Sequence, residues 1–147
     1  MNTLRELTEM LTIRDEQLKE KEKKYEAIFN FNPVPMIITT AIEGIVVDVN
    51  SSFVKYSGYE KSEVINKSMA ELNIYKNYGD RSVILAEVLA NGSINSKEVE
   101  VIKKDGTEIS SFVSINCIKI KDEKCLLIVL IDVFDSTKLR EDILNKL

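Results

Sequence analysis

The chain has 147 residues, 44% of them apolar and 30% charged, with a formal net charge of −4 and neither histidine nor tryptophan. This suffices for one domain with a real core but not for two, and an acidic chain without a basic block is a poor partner for nucleic acid, whose binding depends on neutralised phosphates. Without histidine there is no Ser-His-Asp or Cys-His catalysis, no histidine-ligated zinc or haem and no phospho-accepting histidine, and glycines at 44, 58, 79, 92 and 106 lie too far apart for a phosphate-cradling loop.

Residues 1–6 carry both signs of charge and lack the apolar stretch of a signal peptide. The longest wholly apolar run, residues 125–131, is far below the ~18 residues of a membrane span. A cytoplasmic location without direct membrane insertion is therefore expected.

Residues 3–28 contain no glycine or proline and predict one helix. Leu4, Leu7, Leu11, Leu18, Tyr25 and Ile28 recur at spacings of three, four and seven, with Arg14 and Lys21 in the intervening heptad slots. This is a coiled-coil seam with two polar interruptions, and it makes Leu4, Leu7, Leu11 and Leu18 the expected interface of a homodimer. The alternative is an amphipathic helix lying on its own domain. Lys19-Glu20-Lys21-Glu22-Lys23-Lys24 reads as solvated surface. Asn32-Pro33-Val34-Pro35 stops the helix, since proline supplies no amide hydrogen. It divides a helical segment, 1–31, from a core domain, 32–135.

Two strands are predicted at 36–40 and 45–49, with Glu43-Gly44 in the turn. From 50 to about 91 the pattern is helical and broken. Asn50 or Ser51 is expected to cap a short helix carrying Phe53 and Tyr56 and ended by Gly58. Ser62 is expected to cap the next, with Val64, Ile65 and Met69 inward. Asp80 is expected to cap a longer helix through Val83, Ile84, Leu85, Val88 and Leu89, ended by Asn91-Gly92. Asp80-Arg81 reads as a cap and a surface charge, not as an anion clamp.

Three strands follow, at 98–103, 109–120 and 126–133. Asp105-Gly106 predicts a two-residue hairpin, and Lys121-Asp122-Glu123-Lys124 a second hairpin loop. The last strand is apolar on both faces, so its outer face calls for the N-terminal helix or a second subunit as cover. From Ser136 a final helix is predicted, with Leu139, Ile143 and Leu147 at four-residue spacing. That pattern still runs where the sequence stops, as expected for a piece of a longer protein. The element order gives an α+β fold: a five-stranded antiparallel sheet with helices on one face, preceded by an amphipathic or coiled-coil helix.

Catalytic chemistry is sparse. Glu98 and Glu100 share an outward strand face opposite Val99 and Val101 and form no acid–base pair in a cleft. Cys117 and Cys125 either pair across a hairpin or, as a cytosolic setting favours, stay reduced in apolar strands; two thiols alone under-coordinate zinc. No nucleophile–base pair is evident, so the segment is not expected to be an enzyme.

Asn50-Ser51-Ser52-Phe53-Val54-Lys55-Tyr56-Ser57-Gly58-Tyr59, followed by Glu63-Val64-Ile65 and Lys67, resembles the PAS (sensory box) pattern N-x-x-F-x-x-x-x-G-Y-x-x-x-E-V-I-G-K, with Asn66 in place of glycine. Ile102-Lys103-Lys104-Asp105-Gly106-Thr107 resembles that family's R-K-D-G-S hairpin. The resemblance covers roughly residues 25–143. The family's closing D-I-T falls best on Asp132-Val133-Phe134, because Leu139 and Ile143 then sit where the output helix expects them. The frame Asp135-Ser136-Thr137 keeps the threonine but shifts that helix by three residues. In the preferred frame Asp132 and Phe134 form the signal junction, with Phe134 in place of a hydrogen-bonding threonine.

The resemblance implies a site between the inner sheet face and the middle helices. Its expected walls are Phe53, Tyr56, Leu72, Tyr75, Tyr78, Leu85, Leu89, Val101, Val113, Ile115 and Cys117. Tyr75 and Tyr78 stand out, since a buried phenol wants a hydrogen-bond partner, and the aperiodic segment 72–79 resembles a site-bordering loop. A core filled by its own side chains is the alternative. No cofactor is expected. Haem lacks its histidine, and LOV-type flavin lacks its cysteine, since Cys117 and Cys125 lie on late strands; an unidentified small molecule is compatible. The resemblance further implies a signal-transduction input domain. It would relay the state of its core through flanking helices to an output domain of the same parent protein, of the histidine kinase or diguanylate cyclase type. The alternative is a ligand-free dimerisation module.

Overall fold

The predicted N-terminal helix forms: α1 spans Asn2–Tyr25 and runs on into a π-helical turn, Glu26–Asn30, in a computed structural model that describes residues 2–77, 80–132 and 144–145. Every side chain from residue 3 to residue 28 is exposed, including Leu4, Leu7, Leu11 and Leu18. The stripe therefore does not lie on its own domain, and α1 first meets the core at Phe29, which is buried. Asn32 then ends the helical path, donating to the Ile28 carbonyl and accepting from the Val34 amide.

Five antiparallel strands, β1 (Met36–Thr40), β2 (Val46–Val49), β3 (Ser93–Ile102), β4 (Glu108–Ile120) and β5 (Glu123–Asp132), form one sheet in the order β2-β1-β5-β4-β3. Between β2 and β3 come α2 (Ser51–Ser57), α3 (Lys61–Val64), α4 (Met69–Leu72) and α5 (Asp80–Asn91). Pairing of Ile37 with Ile128, Ile115 with Ile128 and Val113 with Leu130 sets the inner face. Against it pack Phe53 of α2, Val64 of α3, Met69 of α4, and Ile84 and Val88 of α5. This is the five-stranded α+β fold expected.

Several local expectations change. β3 starts at Ser93, five residues before the predicted 98, because a bulge interrupts it. Ser96 sits at φ 55° and pairing jumps from Ile94–Ile115 to Lys97–Val113, which breaks the alternation a sequence reader follows. The β3–β4 loop holds three residues rather than two. The Lys103 amide closes it on the Thr107 carbonyl and the Gly106 amide on the Lys103 carbonyl, with Gly106 at φ 89°. Asp105 accepts from the Thr107 amide at 2.8 Å, and this local bond favours the wider loop. The β4–β5 turn is shorter than expected: Lys121 and Asp122 both take positive φ between paired Ile120 and Glu123. Ser62 lies inside α3. The residue ahead of that helix is Glu60, whose amide donates to the Glu63 carboxylate at 3.0 Å. Met69 opens a separate helix, capped by Ser68. Cys117 pairs with Leu126 on the inner face and Cys125 with Ile118 on the outer, so the two free thiols face opposite sides of the sheet and cannot bridge.

Among the described residues, the outer face is covered at one end only. Phe29 packs with Ile38 and Cys125, flanked by Met36, Ile118, Ile120 and Leu127. Burial raises the Cys125 thiol pKa. Farther along, Val129 is half-buried and Ile131 exposed. Tyr78, Phe134, the side chain of Asp132, and the predicted C-terminal helix apart from residues 144 and 145 lie outside the described residues.

Candidate functional site

Two small cavities lie between α4, α5 and the inner sheet face, each of about 20 Å³, room for roughly one water molecule. The inner one is lined by Thr39, Met69, Leu85, Ile115, Leu126 and Ile128. The outer one is lined by Asn77, Val99 and Glu100. Tyr75, Arg81 and Ile84 border both.

Arg81 is the residue that sequence reading misplaced. It is half-buried rather than a surface charge. Its Nη1 donates to the Ile42 carbonyl at 3.0 Å and its Nη2 to the Ala41 carbonyl at 3.1 Å, tying the start of α5 to the β1–β2 turn. The guanidinium lies over Gly44 so closely that a Cβ there would stand 2.6 Å from Nη2, and Gly44 holds φ 68°. The turn requires glycine on both counts.

The other predicted walls divide. Phe53, Val101, Val113 and Ile115 are fully buried core residues. Tyr56 is half-buried, its hydroxyl 2.5 Å from Ser111 Oγ and the Lys103 ammonium 5.0 Å over its ring. Leu72 packs at the core's edge and its carbonyl accepts from the Tyr59 hydroxyl. Tyr75 and Leu85 do border the cavities, while Cys117 packs against the same core. Leu89 is exposed and lines a separate open groove with Ile42, Glu43 and the β4–β5 turn. In the last turn of α5 it points away from the face that carries Ile84 and Val88, hence its absence from the interior. Thr39, Met69, Ile84, Leu126 and Ile128 were not foreseen as walls.

A second cluster joins α1 to the domain. Asn50 is fully buried, caps α2, and its side chain bonds to four backbone groups, in the helix end, the segment before β1, β1 itself and α2. Ser51 and Ser52 donate to the carbonyls of Asn30 and Asn32. Tyr25 donates to Asp48, which Lys61 also holds at 2.9 Å. Partial burial, and then the Asp48 carboxylate, push the Tyr25 phenol well above its ordinary pKa.

Residues 33–135 match the family described as PAS domain. The chain belongs to the PAS domain family. The segment is accordingly a sensory module and not a catalyst. Among solved structures, the PAS domain of an HTR-like protein from Haloarcula marismortui is 24% identical, with TM-score 0.68, over 83% of this chain and 99% of that one. A domain of a sensory box sensor histidine kinase/response regulator from Geobacter sulfurreducens is 22% identical, with TM-score 0.61, over 76% and 95%. The rat voltage-gated delayed rectifier potassium channel KCNH1 is 32% identical over 84 residues, which are 56% of this chain and 9% of the channel. The PAS chain thus spans under a tenth of the curated relatives it matches. Among the described residues no helix is long and apolar enough to cross a membrane.

Proposed function

We propose that this PAS domain is a cytoplasmic input domain that reads the occupancy of its interior and relays it to an output domain of the same parent protein. The trio Tyr75, Arg81 and Ile84 carries this reading. It sets a half-buried guanidinium and phenol between the largely aliphatic inner cavity and the more polar outer one, where a core serving stability alone favours hydrocarbon. The domain runs over 32–135, between a helical segment at 1–31 and an output-linking helix at 136–147. Signals leave through the junction assigned from the sequence to Asp132 and Phe134 and through the cluster that joins α1 to Asn50. The output proposed is of histidine kinase or diguanylate cyclase type, and the likeness to a domain of a sensor histidine kinase/response regulator supports the first of these. The ligand is a small molecule; no haem or LOV-type flavin is assigned.

A second reading, a ligand-free assembly module, is favoured by the exposed leucines of α1 and by the end of the outer face that no described residue covers. Two copies of α1 can cover each other and that face in a symmetric homodimer. Burying Leu4, Leu7, Leu11 and Leu18 contributes about 6–12 kcal/mol before the entropy of ordering the helices. Native mass spectrometry of the purified chain separates the readings. The sensory reading predicts a dimer that retains a small molecule released on unfolding. A bare dimer in every preparation would leave the assembly module in its place.

A further inference from the structure

We infer that the open groove between the end of α5 and the β1–β2 and β4–β5 turns takes the α1 stripe of a second copy of this chain. This rests on the homodimer common to both readings above and names the surface that α1 meets. Among the described residues Arg14 and Lys21 make no ion pair. Their own helix offers them none. A helical side chain reaches those three and four positions away, and for Arg14 and Lys21 these are Met10, Leu11, Gln17, Leu18, Lys24 and Tyr25. Arg5, by contrast, finds Glu9 at 3.5 Å. The two cations share a stripe with Leu11 and Leu18, so whatever covers those leucines also meets two positive charges. A second α1 suits this poorly, since parallel pairing in register sets Arg14 against Arg14 and Lys21 against Lys21.

The groove carries the opposite charge. Its volume is about 510 Å³, and residues 40–43, Leu89 and residues 122–124 line it. Ile42 and Leu89, 76% and 42% exposed, supply apolar surface. Glu43, Asp122 and Glu123 make no ion pair among the described residues, and against these three carboxylates the walls hold one ammonium, that of Lys124. Leucine and cation alternate over about 15 Å of α1 from Leu11 to Lys21, which complements walls that are apolar and acidic. Asp15 and Glu22 flank the stripe on one side and leave Lys124 a counter-charge of its own. Residues 3–28 are exposed in the single chain. Exchange of α1 between two copies therefore fills both grooves and closes the assembly at two.

The test measures the dimer dissociation constant of the full chain by analytical ultracentrifugation. Reversing the groove with Glu43→Lys and Glu123→Lys, or the stripe with Arg14→Glu and Lys21→Glu, should weaken the dimer at least about tenfold in each case. All four changes together should restore it to within about threefold, which an α1–α1 seam does not predict. The four positions are exposed, so the fold should survive, and circular dichroism checks that it does. A second arm needs no variant. Raising the ionic strength from about 0.05 M to about 0.5 M should weaken docking on the groove, whereas it would strengthen a seam of facing like charges. A dimer indifferent to groove reversal, a loss that the four changes do not restore, or a dimer that tightens with salt overturns the groove as the partner of α1 and leaves the homodimer standing. A chain that is monomeric at high micromolar concentration overturns both. If a reversed chain does not fold, the salt response decides.

Discussion

Replacing Asn50 by alanine tests how α1 is held to the sheet. The Asn50 Nδ2 donates to the carbonyls of Phe29 and Val34, each at 2.9 Å, and Oδ1 accepts from the amides of Met36 at 2.9 Å and Phe53 at 3.0 Å. Asn50→Ala removes all four bonds and leaves four backbone groups behind. The Phe29 and Phe53 bonds are buried, and a buried group left unsatisfied costs about 1–3 kcal/mol. The Val34 and Met36 bonds are only partly buried, so water replaces much of what they lose. The expected loss is about 2–6 kcal/mol, a large share of the ~5–15 kcal/mol that holds an ordinary domain together. Urea unfolding should show a lower midpoint with an unchanged slope. Deuterium exchange should quicken first at residues 26–36. Asn50→Asp keeps an acceptor but turns a carboxylate toward two carbonyls, which raises its folded pKa. Its stability should therefore be greatest at low pH and fall as pH rises through that value. A loss under about 1 kcal/mol for Asn50→Ala, with exchange at 26–36 unchanged, would refute the proposed weld.

Gly44→Ala should cost about 1–2 kcal/mol for its left-handed backbone and more for its collision with Arg81, and only the backbone part should remain in an Arg81→Ala background. Equal penalties in the two backgrounds, from urea melts, would mean that the guanidinium does not rest on the turn. Asp122→Gly should raise stability by up to about 0.5 kcal/mol, because relief at φ 64° slightly exceeds glycine's entropy cost; a lowered melting midpoint would argue against the two-residue turn. Leu7→Asp with Leu11→Asp should convert dimers to monomers by light scattering without changing the domain's own unfolding, whereas a monomeric unaltered chain at high micromolar concentration would remove α1 as the association element. The raised Tyr25 pKa places its stabilisation fully below the unfolded value of ~10 and predicts its loss as pH rises beyond that. Tyr25→Phe should therefore flatten the alkaline limb of the stability curve, and identical limbs would contradict the Asp48 contact.

What the sequence disclosed was mostly local. The absence of helix breakers before Pro33 marks α1, Asn50 and Gly58 bracket α2, and the alternation of β4 is plain. Local chemistry also misled: Asp105-Gly106 reads as a two-residue hairpin until Asp105's bond to the Thr107 amide is known. The bulge at Ser96 hides half of β3 for the same reason that it bends it. The site was less legible, because its polar parts act over distance. Asn50 reads correctly as a cap, but three of its four bonds span 14 to 21 residues. Arg81 reads as surface because its named partners are backbone carbonyls some 40 residues earlier, which no side-chain pattern announces. Phe53, Val101 and Val113 were recognised as interior, yet which apolar residues border a cavity depends on sheet register, and that brought Thr39, Leu126 and Ile128 to the site beside the expected Ile115.

If the interior reads a ligand and the flanking segments carry the change outward, backbone deuterium exchange on the intact chain should register both at once. The comparison is between the chain purified with its retained small molecule and the same chain after unfolding, removal of that molecule and refolding. Slower exchange with the molecule bound is predicted at 69–77 and 80–91, together with altered exchange at 26–31 and 123–132. Protection confined to the interior helices, with the α1 end and β5 unmoved, would contradict the relay; no change anywhere between the two would contradict the interior site itself.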